Sequence, residues 1–206
     1  MSELHRFEQS LLANQSVFEI DLGSETLFGL SDYYSLLVRW NARLHLVAPC
    51  SAEEFATRHV LEALLLLKHL PQDAKIADIG SGAGLPIIPC LIARPDLHAT
   101  LIESSQKKSV FLREALNAAG RHATIISRPF EEVPTPDVSF VTCRALDQFI
   151  EKIPDIIRWA PPSSSLLLFG GETLREKLSS ETQAYKIPLS ERRYLFVTAA
   201  NRSPTD

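Results

Sequence analysis

Hydrophobic positions in the first 70 residues recur at three- and four-residue steps, which is the spacing of amphipathic helices. The segment LSDYYSLLVRWNARLHLV follows this spacing, and Ser31 is its predicted N-cap. A second helix is predicted over residues 52–70, because Ser51 and two acids begin it and Pro71 ends it. Trp40 and Phe111 are expected to lie in the core.

From Lys75 onward, short β-like runs alternate with helix-like segments. Strands are predicted at 75–79, 99–103, 123–127, 138–143, 165–169 and 194–200, and helices at 86–94, 107–119, 146–159 and 173–180. Such alternation predicts parallel βαβ units in a doubly wound, mostly parallel sheet, which is an α/β fold. The chain therefore divides into a helical extension (1–70) and an α/β region (71–206), which we expect to form one integrated unit.

Composition indicates an ordinary globular chain. Of its 206 residues, 45% are hydrophobic and 22% are charged. The apolar runs around 64–67 and 85–93 are too short to cross a bilayer, and the N-terminus MSELHRFEQS lacks the apolar core of a secretion signal. We therefore expect a cytoplasmic protein with no membrane partner. The net charge of −4 argues against a strong non-specific nucleic-acid binder, so any contact with RNA must use local basic patches.

The three cysteines indicate neither a disulfide framework nor a metal site. Cys50, Cys90 and Cys143 are odd in number and far apart in the sequence. No metal is therefore expected.

A glycine-rich turn, DIGSGAGLP, follows the first predicted strand. Open α/β sheets bind ligands at the carboxyl ends of their strands, so this turn is a candidate cofactor site. A dinucleotide fingerprint requires the spacing G-x-G-x-x-G, whereas Gly80, Gly82 and Gly84 give G-x-G-x-G. Glu103 ends the next strand, where a carboxylate can accept hydrogen bonds from ribose hydroxyls of either NAD or an adenosyl cofactor.

The loop D-x-G-x-G-x-G, together with Glu103, resembles motif I of S-adenosylmethionine-dependent methyltransferases. Seven segments between residues 40 and 197 occur in the order of one family: WNARLHLV, RHVLEALLL, DIGSGAGLPIIP, ARPDLHATLIESSQKKSVFL, ISRPFEEV, VTCRAL and SERRYLFV. They resemble the small-subunit (16S) rRNA methyltransferase G family, also called glucose-inhibited division protein B. The resemblance implies a class I methyltransferase (Rossmann-like) fold with an N-terminal helical extension. It also implies S-adenosylmethionine as cofactor and methyl transfer to N7 of a guanine in 16S rRNA.

The same resemblance assigns roles by position. It implies that the cofactor is bound by Asp78, Gly80, Gly82, Gly84, Leu85, Glu103, Phe130, Glu131 and Arg144. It implies that the catalytic positions are Arg144, His59 and Arg128. RNA contacts are expected from Arg58, Arg192 and Arg193, with 16S rRNA or the small ribosomal subunit as the partner of a monomeric enzyme.

Guanine N7 already carries a lone pair, so its methylation needs no general base, and catalysis depends mainly on positioning. Arg144 could hydrogen-bond the guanine O6 edge. The chain departs from the family at three places: Ile87 replaces a glycine, Phe169 replaces a lysine expected near the RNA, and Glu62-Ala63 replaces Asp-Ser. Two alternatives stay open, namely a divergent paralogue with another acceptor and a cofactor-binding protein without turnover.

Overall fold

The computed structural model describes residues 1–144 and 149–200. Helices α1 (Glu3–Asn14) and α2 (Ser24–Leu44) begin the chain. The predicted N-cap at Ser31 is wrong, because α2 begins a full seven residues earlier, after Gly23. Ser31 is instead buried inside the helix, where its hydroxyl donates a 2.8 Å hydrogen bond to Glu8 of α1.

The third helical stretch runs through the predicted range but changes type along its length. It consists of α3 (Ala52–Glu54), a π-helical segment (Phe55–Leu61), α4 (Glu62–Leu64) and a 3₁₀ segment (Leu65–His69). The Ser51 side chain accepts from the backbone N–H of Glu54, as expected for the predicted N-cap. Widened π turns are rare and often occur at functional sites.

Seven strands form one sheet in the order β3-β2-β1-β4-β5-β7-β6. They are β1 (Lys75–Ile79), β2 (His98–Ile102), β3 (Thr124–Ile126), β4 (Phe140–Cys143), β5 (Ser165–Gly170), β6 (Gln183–Lys186) and β7 (Tyr194–Ala199). The first five strands pair in parallel, whereas β7 pairs antiparallel with both β5 and β6. Every predicted strand is present within two residues at each end.

Five further helical elements connect the strands. They are α5 (Ile87–Ala93), α6 (Gln106–Ala118), a 3₁₀ turn (Phe130–Glu132), α7 (Phe149–Trp159) and α8 (Glu172–Arg175). The predicted helix 146–159 is present from residue 149, and its first three positions lie outside the described residues. The helix predicted over 173–180 is wrong in length, since α8 ends at Arg175.

Two hydrophobic clusters lie on opposite faces of the sheet. Because side chains alternate along a strand, Leu167 and Phe169 of β5 join one cluster while Leu166 and Leu168 join the other. The first cluster also contains buried residues from α1, α2, α5 and α6, so the helical extension packs on the sheet through a shared core. The second cluster is covered mainly by α7.

Across residues 1–144 and 149–200, no helix has both the length and the apolar character that crossing a membrane requires. The same residues contain no group of three or more His, Cys, Asp or Glu side chains arranged to hold a metal ion.

Candidate active site

The glycine turn follows β1 and has a backbone conformation that other residues adopt only with strain. Gly80, Gly82 and Gly84 all have positive φ angles, of 71°, 50° and 81°. The backbone N–H groups of Gly80 and Ser81 both donate to the carbonyl of Ile102, at 2.9 and 3.2 Å. The turn is therefore tied to the end of β2 and stays open above the carboxyl edge of the sheet.

Glu103 holds the other side of the turn. Its carboxylate is 6% exposed and accepts from the backbone N–H of Gly82 at 2.8 Å and from that of Ser105 at 2.7 Å. A carboxylate has about four lone-pair directions, so these two bonds leave acceptor capacity for hydroxyl groups of a ligand. Glu103 and the glycine turn, both predicted to bind the cofactor, thus lie in direct contact.

A cavity of about 520 Å³ opens where the turn meets Glu103. Its volume lies within the range of small-molecule sites. Residues 80–83 and Leu85 line one side, and Glu103, Lys108 and Arg144 line others. The segment 46–48, which follows α2, completes the wall, so the helical extension forms part of the cavity.

A second cavity of about 170 Å³ adjoins the first, since Gly80 and Ser104 line both. Arg128, Phe130 and Glu131, three predicted site residues, lie around it. The ring of Phe130 is buried and packs edge-on against Trp159, and Glu131 forms a 2.7 Å ion pair with Lys152. The two cavities form a groove across the carboxyl ends of β1, β2 and β3.

Arg144 follows β4 and is anchored to the π-helical segment. Its guanidinium donates to the backbone carbonyls of Arg58, at 2.6 Å, and His59, at 3.4 Å. It also lies 5.5 Å from the ring centroid of Phe169 and 3.6 Å from a carboxylate oxygen of Glu62. Because its side chain is only 11% exposed, these contacts fix the direction in which the remaining N–H groups point.

His59 lines the main cavity as a neutral imidazole. Burial and the neighbouring Arg144, Arg58 and Arg193 lower its pKa from 6.5 to about 3. Its Nδ1 atom lies 3.2 Å from Nη2 of Arg144. Since an arginine only donates, Nδ1 is the acceptor and the ring proton resides on Nε2. His59 can therefore orient Arg144, but it does not exchange protons near neutral pH.

Glu62 binds two of the predicted arginines from a buried position. One carboxylate oxygen lies 3.6 Å from Arg144 and the other accepts from Arg193 at 2.6 Å. Burial raises the pKa of Glu62 above its ordinary value, although Arg144, Arg193 and Arg58 act in the opposite direction. The three groups form an ion-pair cluster in which one carboxylate offsets part of the charge of two arginines.

One member of this cluster, Arg193, was predicted to contact RNA. Its side chain is 27% exposed and donates hydrogen bonds to Glu62 and Ser190. Arg192 is exposed beside it, and Arg58 is exposed and paired with Glu54 on the helix surface. Arg58 and Arg193 line one small cavity together, and contact of the three arginines with RNA stays a prediction.

Two further residues lie differently from the sequence expectation. Asp78 is buried beneath the turn and does not line the cavity; burial raises its pKa, and its Oδ2 has no hydrogen-bond partner among the described residues. Asp78 would therefore influence a bound ligand through the conformation of the glycine turn. Phe169 was expected near the RNA, but its ring is buried under Arg144.

Tyr33 is a site residue that the sequence analysis missed. Its hydroxyl, fully buried on α2, donates a 2.6 Å hydrogen bond to the carbonyl of Ala83 in the glycine turn. In the sequence it is one more aromatic residue on an apolar helix face. Glu62 was noted only as a departure, although a lone acid among the leucines of an apolar helix is a signal for a buried ion pair.

The sheet order, the antiparallel β7 and the glycine turn after β1 define a class I methyltransferase fold. A similar fold occurs in an RNA methyltransferase from Salinibacter ruber, solved in complex with S-adenosyl-L-homocysteine. It superposes with a TM-score of 0.58 at 14% identity, over 71% of this chain and 94% of that chain. The expected fold class is confirmed.

Residues 27–203 match the family of rRNA small subunit methyltransferase G, and the chain belongs to this family. It is 34% identical over 167 residues to the ribosomal RNA small subunit methyltransferase G of Halorhodospira halophila, covering 81% of this chain and 79% of that protein. It is 36% identical over 157 residues to the enzyme of the same name from Xanthomonas campestris, covering 75% and 74%. The expected family is confirmed, while the roles of single residues stay predictions.

Proposed function

We propose that this protein transfers a methyl group from S-adenosylmethionine to N7 of a guanine in 16S rRNA. The observation that carries the proposal is the cavity in which the glycine turn, Glu103 and Arg144 meet, in a chain of the rRNA small subunit methyltransferase G family. Membership of this family supports 16S rRNA as the substrate and the cytoplasm as the location. The enzyme would act as a monomer.

The residues around the cavity suit the cofactor. The turn 80–85 leaves space beside Gly82, where a Cβ atom would meet nothing closer than 3.6 Å. Glu103 would accept the ribose hydroxyls, and the second cavity at Phe130 and Glu131 would take the adenine end. When bound, S-adenosylmethionine supplies an electrophilic methyl group on a positively charged sulfur.

The chain's own residues would act by positioning. Guanine N7 needs no base, and the neutral His59 with its occupied Nδ1 agrees with a site that moves no proton. Arg144 keeps guanidinium N–H groups available at the cavity while Glu62 and two backbone carbonyls fix its plane. A donor fixed in this way can bind O6 of guanine and place the adjacent N7 at the reacting carbon.

The first experiment is transfer of a labelled methyl group from S-adenosylmethionine to small ribosomal subunits that lack the family's modification, with naked 16S rRNA alongside. We expect label at one guanine, on N7. Binding of S-adenosylhomocysteine should raise the melting temperature, and NAD should not. Cofactor binding without any transfer would favour another acceptor or a protein without turnover.

Within this assay, Arg144→Ala should lower transfer at least ten-fold, since an orienting hydrogen bond to a charged donor contributes about 1.5–3 kcal/mol. Arg158→Ala is the matched control, because Arg158 is exposed on α7 and, among the residues that the structure describes, forms an ion pair with Asp155 alone. Unchanged turnover of a folded Arg144→Ala protein would remove Arg144 from the mechanism.

A further inference from the structure

A groove on α2 lies outside the cofactor cavity and shares no residue with it. Leu36, Arg39, Trp40, Arg43 and Leu44 line this groove, which has a volume of about 420 Å³. Its composition, an indole between two arginines, differs from the glycine, serine and acid that line the cofactor cavity. We call it the α2 groove.

Both cations of the α2 groove are free to meet a ligand. Arg39 and Arg43 are one helical turn apart, are exposed, and form no ion pair within residues 1–144 and 149–200. By contrast, Arg58 and Arg193, which the sequence favoured as RNA contacts, each hold a carboxylate. The groove is thus a local concentration of uncompensated positive charge on a chain whose net charge is −4.

Trp40 provides an aromatic surface between these cations. It was expected in the core, but the structure leaves it only half-buried, packed edge-on against Phe111 of α6 at 5.9 Å. The contact with Phe111 holds the indole on the side of α6, while another part of the Trp40 side chain lines the groove. A fixed aromatic ring beside cations is the arrangement with which proteins bind unpaired nucleotides, by stacking the base and neutralising its phosphates.

The α2 groove is connected to the active site through Asn41. The Asn41 amide donates to the carbonyl of Val47 at 3.2 Å and accepts from the N–H of the same residue at 3.0 Å. This reciprocal pair folds the segment 46–48 back from α2 to form a wall of the cofactor cavity. A strand of RNA leaving the cavity across this wall would therefore reach Trp40.

We propose that the α2 groove binds an unpaired RNA nucleotide that flanks the target guanine, with its base on Trp40 and its neighbouring phosphates on Arg39 and Arg43. The proposal rests on the proposed function, because it takes RNA as the acceptor. It assigns RNA binding to the helical extension, on the side of the cavity formed by residues 46–48.

The first test neutralises both cations in Arg39→Gln/Arg43→Gln. The matched control is Lys75→Gln/Arg158→Gln, which removes the same charge from two exposed positions at the opposite, amino edge of the strands. Binding to naked 16S rRNA is measured against salt concentration, along with methyl transfer. Loss of two phosphate contacts should lower the slope of log K against log salt by about 1.4 to 1.8, whereas the control should keep the wild-type slope.

Affinity for S-adenosylhomocysteine should be unchanged in both double variants, since neither pair lines the cofactor cavity. A wild-type slope in Arg39→Gln/Arg43→Gln would overturn the proposal. An effect seen with assembled subunits but not with naked rRNA would also overturn it, because the groove would then contact a ribosomal protein.

The second test observes the stack directly. The chain has two tryptophans, so Trp159→Phe leaves Trp40 as the only indole. A single-stranded RNA oligonucleotide at low salt should quench Trp40 fluorescence, and Arg39→Gln/Arg43→Gln in the same background should shift the titration to higher RNA concentration. Absence of quenching in a protein that still methylates 16S rRNA would overturn the groove alone. Quenching without methylation of 16S rRNA would overturn the proposed function and leave the groove standing.

Discussion

At the scale of single residues, His59 makes the stability of the protein depend on pH. Its pKa is lowered from 6.5 to about 3 in the folded state, so below pH 6.5 the unfolded chain binds a proton that the folded chain does not. His59 therefore favours the folded state fully above pH 6.5. This contribution falls as the pH drops from about 6.5 towards 3, by about 1.4 kcal/mol per pH unit at most.

The variant His59→Asn tests this dependence, because an amide oxygen can still accept from Arg144 but does not titrate in this range. The free energy of unfolding, measured by urea denaturation from pH 7.5 to 4.5, should fall less steeply with acid in the variant than in the wild type. His122→Asn is the control, since His122 is exposed. A wild-type slope in His59→Asn would contradict the lowered pKa.

The sequence predicted which residues lie at the site better than it predicted the contacts of their side chains. The sequence pattern indicated Glu103 and the three glycines, because these positions follow strands whose carboxyl ends share one edge. It did not indicate that Arg193 pairs with Glu62, because the identity of a basic residue does not reveal its partner. Only the packing of α4 against the start of β7 shows that Glu62 holds this arginine.

At the scale of elements, the glycine turn combines two demands, a positive φ and an open space, which can be separated experimentally. Gly82 and Gly120 have similar φ angles, of 50° and 61°. A Cβ at Gly120 would meet nothing within 4 Å, whereas at Gly82 it would lie 4.0 Å from the Glu103 carboxylate. A side chain at either position would carry the energetic cost of a positive φ angle. Of the two glycines, Gly82 alone lines the cofactor cavity.

Gly82→Ala and Gly120→Ala should each lower the free energy of unfolding by about 1–2 kcal/mol, the cost of a left-handed backbone. Only Gly82→Ala should also weaken binding of S-adenosylhomocysteine, which isothermal titration calorimetry would measure. Equal affinities in the two variants would show that the space beside Gly82 is not used by the cofactor.

The elements that the sequence pattern missed lack a pattern for physical reasons. Strand β6 is exposed at all four positions, so its residues show no alternation of buried and exposed side chains. It forms only because it pairs with β7. The π-helical segment Phe55–Leu61 lies within an amphipathic helix signal, and a single widened turn leaves the 3.6-residue periodicity of its neighbours intact.

At the scale of the whole molecule, the helical extension and the sheet share a core. Phe7 and Leu11 of α1 belong to the same buried cluster as Ile76 of β1 and Leu101 of β2. Tyr33 adds a buried hydrogen bond from α2 to the glycine turn. The extension is therefore stabilised in part by contacts that also cover the sheet.

We predict that both parts unfold in one cooperative transition. Trp40 reports on the extension and Trp159 on the second cluster, so Trp159→Phe and Trp40→Phe each leave one probe. For each variant, urea unfolding is followed by tryptophan fluorescence and by circular dichroism. The two midpoints of the same variant should coincide. An earlier fluorescence midpoint for Trp40 would indicate an extension that unfolds on its own.

The buried cluster of Glu62, Arg144 and Arg193 has a consequence for sequence divergence. One carboxylate pairs with two cations that come from distant parts of the chain, after the end of β4 and before the start of β7. Replacing Glu62 would leave two arginine charges without their partner, whereas replacing either arginine would leave the other paired with Glu62. The cost of a substitution therefore depends on what occupies the other two positions. Substitutions at these three positions should therefore be correlated as the sequence diverges, although the positions lie up to 131 residues apart.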